Sequence, residues 1–299
     1  TFDNVLNHAR NGNATMVDAD GLLKWSPHNF MRYSEDFTNG VWSGNPVAVS
    51  NTTDTTAPDN SITATKLSTG TAVNQIWSSN QTISNVIVLT GVINVFKVFL
   101  KAGTHDYIYL SAQRAAQGGN FASICIDLSL ATPVVSDTDV GVNNGTVEFT
   151  SVTDAGNGWY ECEMGFTAEF SASAIMRAGF ASSATPNWEN NGTEIFSSTG
   201  SEDFYIWGAH VYRSDLGGMV NNPATGNSYV PTTDAVRYLP RENHHVYSGS
   251  SWVKEGYLHE PEAATNLLLN SGTLSTQNVT VTAVPNTLHF TGTGTVTLS

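Results

Sequence analysis

Apolar and polar residues alternate along most of this chain with a period of two. "DYIYLSAQ" puts Ile108, Leu110 and Ala112 on one face and Tyr107, Tyr109, Ser111 and Gln113 on the other. "FASICIDLS" aligns Ala122, Ile124, Ile126 and Leu128. "TVEFTSV", "IMRAGFAS" and "DFYIWGAHVY" alternate in the same way. Between these runs lie "AGTHD", "AQGGN", "VNNGT", "AGNG" and "ENNGT", whose Gly and Asn tolerate positive φ and so mark turns. Helical periodicity is almost absent. Many short strands at this spacing predict an all-β protein, a two-sheet sandwich or jelly roll.

The stretch "GNGWYECEMGF", 156–166, tests that reading because it carries a thiol and two carboxylates. Strand alternation places Tyr160, Cys162, Met164 and Phe166 on one face and Trp159, Glu161 and Glu163 on the other. Cys162 therefore travels with the apolar set. A catalytic thiol needs a His or a helix N-terminus to lower its pKa, and the sequence offers neither nearby. Cys125 is the only other cysteine. Two buried thiols are the expectation, with a Cys125–Cys162 disulfide as the alternative.

Four segments follow from the pattern. Residues 1–28 are polar and irregular and read as an N-terminal arm or anchor. Residues 29–235 hold the sandwich. Residues 236–262, with prolines, arginines and a His pair, read as a connector. At 263–299 a new Thr/Val alternation begins, read as the start of a second small β module. "NLLLNSGTL" at 266–274 echoes "NFMRYSEDF" at 29–37, as if each opened its own module. The apolar run Val86–Leu100 is interrupted by Thr90, Gly91, Asn94 and Lys97, which predicts two strands and a turn, not a membrane span.

Charge narrows the partners. Twenty-six acidic residues against twelve basic ones give a net charge of −14. Such a chain has no general affinity for nucleic acid or anionic lipid. Thr1 opens a polar stretch, so no secretory signal is expected within the sequence. Low charge density with abundant Thr, Ser, Asn and Gly suits an extracellular or virion protein.

"NFMRYSEDFTNGVW", "TTAPDNSITATKL", "FKVFLKAGTHDYIYLS", "GNGWYECEMGFTA", "DFYIWGAHVY" and "SYVPTT" occur in this order. Together they resemble the carbohydrate-binding-module-like jelly rolls of tailed-bacteriophage structural proteins, found in tail fibres and in capsid fibres or decorations. "ATMVDADGLLKW" and "GYLHEPEAATNLLLNS" resemble segments leading into such modules. The resemblance implies a non-enzymatic virion protein on capsid or tail, partnered by other virion proteins, assembled as a homotrimer, and meeting host surface glycans. It leaves two alternatives: the binding module of a depolymerase, or a purely structural capsid cement. Related glycan-binding jelly rolls hold a structural calcium with an aromatic-Ile-Asp-Asp pattern on the last strand. Here "YIWGAHV" puts Trp207 and Gly208 in the carboxylate positions, so no cofactor is expected, and a structural calcium stays open only through Glu202 and Asp203 just before the strand.

Other chemistry is sparse. Glu161 with Glu163, and Glu202 with Asp203, are carboxylate pairs of the kind glycan hydrolysis uses, but each reads more simply as solvated strand charges. His244 and His245 are adjacent, so a strand would point them to opposite faces and away from one metal. No nucleophile, zinc or phosphate-loop motif occurs in a matching context. The glycan-binding candidates are Gln75, Trp77, Tyr107, Tyr109 and Gln113. Tyr107, Tyr109 and Gln113 lie on the non-core face, joined by Gln75 and Trp77 if Ile76 faces inward. The competing reading packs these residues against a neighbouring subunit, the arm or the second sheet.

Overall fold

In a computed structural model, residues 10, 12–45, 47–83, 91–115, 119, 121–141, 146–167 and 173–258 are described. The alternating runs form strands where the turn signals leave them room. In chain order these are β1 (Thr15–Val17), β2 (Leu23–Trp25), β3 (His28–Asn29), β4 (Ser43–Asn45), β5 (Ala48–Asn51), β6 (Thr65–Ser68), β7 (Thr71–Gln75), β8 (Ser78–Ile83), β9 (Asn94–Ala102) and β10 (Tyr107–Arg114). They continue with β11 (Phe121–Asp127), β12 (Val134–Val140), β13 (Val147–Gly156), β14 (Trp159–Phe166), β15 (Ala174–Phe180), β16 (Phe196–Thr199), β17 (Asp203–Arg213), β18 (Arg237–Tyr238), β19 (His244–Tyr247) and β20 (Trp252–Gly256).

Two six-stranded antiparallel sheets form the body. The first runs β12-β11-β10-β15-β8-β4 and the second β13-β14-β9-β17-β6-β5. Ile108, Leu110, Ile124, Ile126, Met176 and Phe180 of the first sheet meet Phe96, Val98, Leu100, Cys162, Met164, Phe166, Phe204 and Val211 of the second. Each of these is nearly or fully buried, and each large apolar side chain contributes about 1.5–3 kcal/mol of burial free energy. The fold is thus the all-β sandwich that the alternation predicts. Of the residues read as the Cys162 core face, Cys162, Met164 and Phe166 are in the core and Tyr160 packs against it, half-buried.

Asn29 joins the two ends of the sandwich. It is fully buried. Its amide donates to Ala209 O at 3.0 Å and Val230 O at 2.8 Å. Its carbonyl accepts from Met31 N at 2.9 Å and Val211 N at 3.1 Å. Beside it, β3 pairs with β18, and Leu239 N donates to Pro27 O. The described part of the arm is ordered as the β1–β2 pair, whose Val17 N donates to His244 Nδ1 at 3.1 Å. The stretch read as a connector contains β18 and the β19–β20 pair.

The chain divides into Thr1–Leu258 and His259–Ser299. The expected second module, and the first strand expected in Val86–Leu100, fall outside the described residues.

Candidate functional site

The outer face of the first sheet was expected to carry an open aromatic platform. Part of it is roofed instead. Tyr109 is fully buried against Cys125, Ala181 and Trp188, with its ring laid across Gly179. A Cβ at Gly179 would fall 2.4 Å from Tyr109 Cζ and 2.6 Å from Trp77 O, so only glycine permits this approach. Residues 181–195 form the roof, organised by the Glu194 carboxylate. It accepts from Ser182 N at 2.7 Å, Ser182 Oγ at 2.6 Å and Asn187 N at 3.0 Å. Trp188 Nε1 donates to Asp137 Oδ2 at 3.0 Å, and Ser123 Oγ donates to Gly192 O at 2.8 Å.

Trp77 corrects the expectation further. It lies in the core between the sheets, 1% exposed, while Ile76 is half-buried. Its indole donates to Phe196 O at 3.3 Å. Gln113 is buried on β10, between Phe121 of β11 and Ile175 of β15. Tyr107 is half-buried, edge-on to His105 at 6.2 Å. Gln75 is half-buried and pairs with Phe196 across β7–β16. Trp77 and Tyr109 therefore cannot present ring faces to a sugar.

A cleft does open on the outer face of the second sheet. Its origin is a β-bulge in β17. The register against β9 shifts between Trp207 and His210, and Gly208 sits at φ 68°. A Cβ at Gly208 would lie 2.9 Å from the Phe99 ring. The bulge lets Ile206 and Ala209 both face the core while Trp207 turns outward. There Trp207 packs on Phe99, with centroids 5.3 Å apart, and on Tyr229 at 4.9 Å. Its indole donates to Thr63 Oγ1 at 2.8 Å. Tyr229 comes from the segment that follows β17, and its hydroxyl donates to Glu35 Oε1 at 3.1 Å.

These three rings, each 3–5% exposed, lie at the base of a cleft of about 470 Å³ and show it only a small part of their surface. Its walls carry Asp59, Thr153, Asp154, Glu161, Thr225 and Asn227. Asp59, Asp154, Thr225 and Asn227 are exposed at the rim. Asn227 Oδ1 accepts from Tyr229 N and from Thr225 Oγ1, both at 2.9 Å, which leaves the amide nitrogen as the side that can donate to a ligand. The cleft combines an apolar base with a few polar groups that fix orientation, the usual make-up of a small-molecule site.

Glu161 has a second role. The Lys97 ammonium, 1% exposed, lies 3.3 Å from Glu161 Oε2 and 3.4 Å from Glu163 Oε1, and donates to Ser228 Oγ at 2.5 Å. Burial raises the Glu161 pKa, Lys97 opposes that shift, and Glu163 adds to it. The two carboxylates are thus partners of a buried cation, not freely solvated strand charges. On the other side of Lys97, in register on β17, is His210, whose Nε2 donates to His28 O at 2.8 Å. Burial holds His210 well below its ordinary range, and the Lys97 charge adds to this.

The Glu202–Asp203 pair is also engaged. Glu202 accepts from Thr69 Oγ1, Ser198 Oγ and Thr199 Oγ1 at 2.7–2.8 Å and from three backbone amides, Thr199, Gly200 and Ser201, at 3.0–3.1 Å. Burial would raise its pKa, but these hydrogen bonds outweigh it and hold the carboxyl well below the usual range. Asp203 meets Lys66 Nζ at 3.0 Å and Thr104 N at 3.1 Å. Both carboxylates are loop-organising acceptors, which corrects the reading of solvated charge. Among the described residues no cluster of His, Cys, Asp or Glu has the arrangement of a metal site. Cys125 and Cys162 are both free and buried, on opposite faces of different sheets. Among the described residues no helix is long and apolar enough to cross a membrane.

Sequence reasoning did not single out Trp207 and Tyr229 for the cleft. The available signal was a glycine inside an otherwise strand-like run, "YIWGAHV", which marks a bulge that can re-aim its neighbour.

No protein-family model matches the sequence, and no curated protein matches it. Among solved structures, the chain is similar to a CBM22-1 xylan-binding domain from Paenibacillus barcinonensis Xyn10C. Identity is 9% and the TM-score 0.33, over 69% of this chain and 97% of that domain. At that similarity the fold rests on the strand order above, and no ligand is carried across.

Proposed function

We propose that this protein is a non-enzymatic glycan-binding component of a bacteriophage virion, and that the cleft over Phe99, Trp207 and Tyr229 is its saccharide site. The observation that carries the binding reading is that cleft: an aromatic base beneath an exposed rim of amide, hydroxyl and carboxylate groups. The small apolar strip at the base suits a few C–H groups of a sugar, and the exposed Asn227, Thr225 and Asp154 suit its hydroxyls. Glu161 and Glu163 both face Lys97, which supports a structural ion triad over an acid–base pair. The virion setting rests on the sequence resemblance, as does the homotrimer. Many copies on one particle would turn weak single-site binding into firm attachment.

The test is a glycan array followed by calorimetry on the hits. Asn227→Ala, at the exposed rim, is expected to weaken binding at least several-fold while leaving the unfolding midpoint unchanged. Absence of binding to any oligosaccharide at millimolar concentration would reject the reading. So would release of new reducing ends from a bound glycan.

A further inference from the structure

A row of outward side chains crosses the first sheet, on the opposite side of the sandwich from the cleft. In register it reads Ser43 on β4, Asn80 on β8, Arg177 on β15, Ser111 on β10 and Ser123 on β11. Neighbouring strands lie about 4.8 Å apart, so the row is a ladder of closely spaced polar groups. Its far end is closed, because Ser123 donates to Gly192 O of the roof. Its near end is open, with Ser43 exposed and Asn80 half-buried.

At the centre stands Arg177. No ion pair among the described residues involves it. Its Nη1 is buried and has no hydrogen-bond partner among the described residues, and the same holds for Ser111 Oγ directly across from it. Asn80 Oδ1 accepts from Ser43 Oγ at 2.9 Å, which directs the Asn80 amide nitrogen to other acceptors. The carboxylate nearest along the row, Asp139, pairs with Ser123 three strands from Arg177. In a chain with more than twice as many acidic as basic residues, a partly buried guanidinium with no ion-pair partner among the described residues, flanked by neutral donors, is a marked exception. A buried charge without a counter-charge is costly, and a planar guanidinium is best satisfied by a carboxylate that accepts two parallel hydrogen bonds.

We propose that this row binds a carboxylate-bearing saccharide of the uronate class, with Arg177 gripping the carboxylate. Asn80 donates to the same acid group or to the neighbouring hydroxyls, and Ser43 meets the sugar at the open end, while Ser111 lies buried beneath the guanidinium. An acidic sugar fits better than a bare anion because the donors extend along a row instead of converging on one point. The site is independent of the cleft and stands whether or not the cleft binds sugar.

The test uses the full chain and isothermal calorimetry or ligand-observed NMR with glucuronic acid, glucose and inorganic phosphate as probes. Glucuronic acid is expected to bind at least tenfold more tightly than glucose or phosphate. Arg177→Gln is expected to abolish that preference without lowering the unfolding midpoint, since it removes an unpaired charge. Asn80→Ala, at the half-buried end, should weaken uronate binding several-fold and provides a reading if Arg177→Gln does not fold. Uronate binding lost in Asn227→Ala but kept in Arg177→Gln would place the acid in the cleft and overturn the proposal. The proposal is overturned if glucuronic acid binds no better than glucose, if phosphate binds equally well, or if Arg177→Gln retains the preference.

Discussion

Replacing Asn29 by alanine removes the amide that holds the start of the sandwich to its end. Four buried backbone groups lose their partner at once: the carbonyls of Ala209 and Val230 and the amides of Met31 and Val211. A typical intramolecular hydrogen bond contributes about 1 kcal/mol net, and a buried group left unsatisfied costs about 1–3 kcal/mol. Alanine leaves a small polar hole, and a water entering it would restore part of the loss. The expected cost is therefore about 3–5 kcal/mol, a large part of the 5–15 kcal/mol typical of a domain. Urea unfolding followed by tryptophan fluorescence measures it directly, with an unchanged m-value as the check that both end states remain comparable. Val230 adjoins Tyr229, so the same variant should also loosen one wall of the cleft and weaken any glycan bound there. A loss below about 1 kcal/mol would show that these four groups find other partners, and the clamp argument would fail.

Two further predictions concern pH and thiols. His28 is buried, with Nδ1 donating to Ser26 O at 2.8 Å and Nε2 accepting from Arg213 N at 3.0 Å; burial, helped by the charges of Arg10 and Arg213 against the Ser26 bond and Asp215, lowers its pKa from 6.5 to about 4. The unfolded chain takes up this proton below about pH 6.5 and the folded one only near pH 4, so stability should fall by roughly 3 kcal/mol across that window, more with His210 acting in the same direction. Urea midpoints measured at pH 7 and pH 4.5 that coincide would contradict this. Burial also raises both thiols, Cys125 to about 12 and Cys162 further, so neither should react with an aromatic disulfide reagent in the native state, and both should react in urea. Rapid native labelling of either thiol would refute the buried placement.

The strand alternation made the sandwich and its inner face legible, because period two is set by backbone geometry alone. Cys162, Met164 and Phe166 face inward as the alternation requires. What alternation cannot report is whether the second face of a sheet is covered. Tyr109 sits on the expected outer face and is buried all the same, because residues 181–195 return over it. Trp159 also faces outward and is sealed, its indole donating to Thr56 O at 2.8 Å. Trp77 was misplaced for another reason: it lies between β7 and β8, outside any strand, where alternation has no hold. The cleft was hidden by the bulge at Gly208, which resets the alternation in mid-strand. Lys97 looked like a polar interruption in an apolar run. Its ammonium is instead balanced by Glu161 and Glu163 from β14, a partnership set by cross-strand register and invisible to local sequence.

The β3–β18 pairing has a mechanical consequence. The chain enters the sandwich and leaves it at the same corner, stitched by His28, Asn29, Arg237 and Tyr238. A load applied through the flanking segments would therefore fall on the Val17–His244 bond, on that short zipper and on Asn29, while the twelve strands behind them carried little tension. Such a domain, taken by itself, behaves as a pendant hung from one corner.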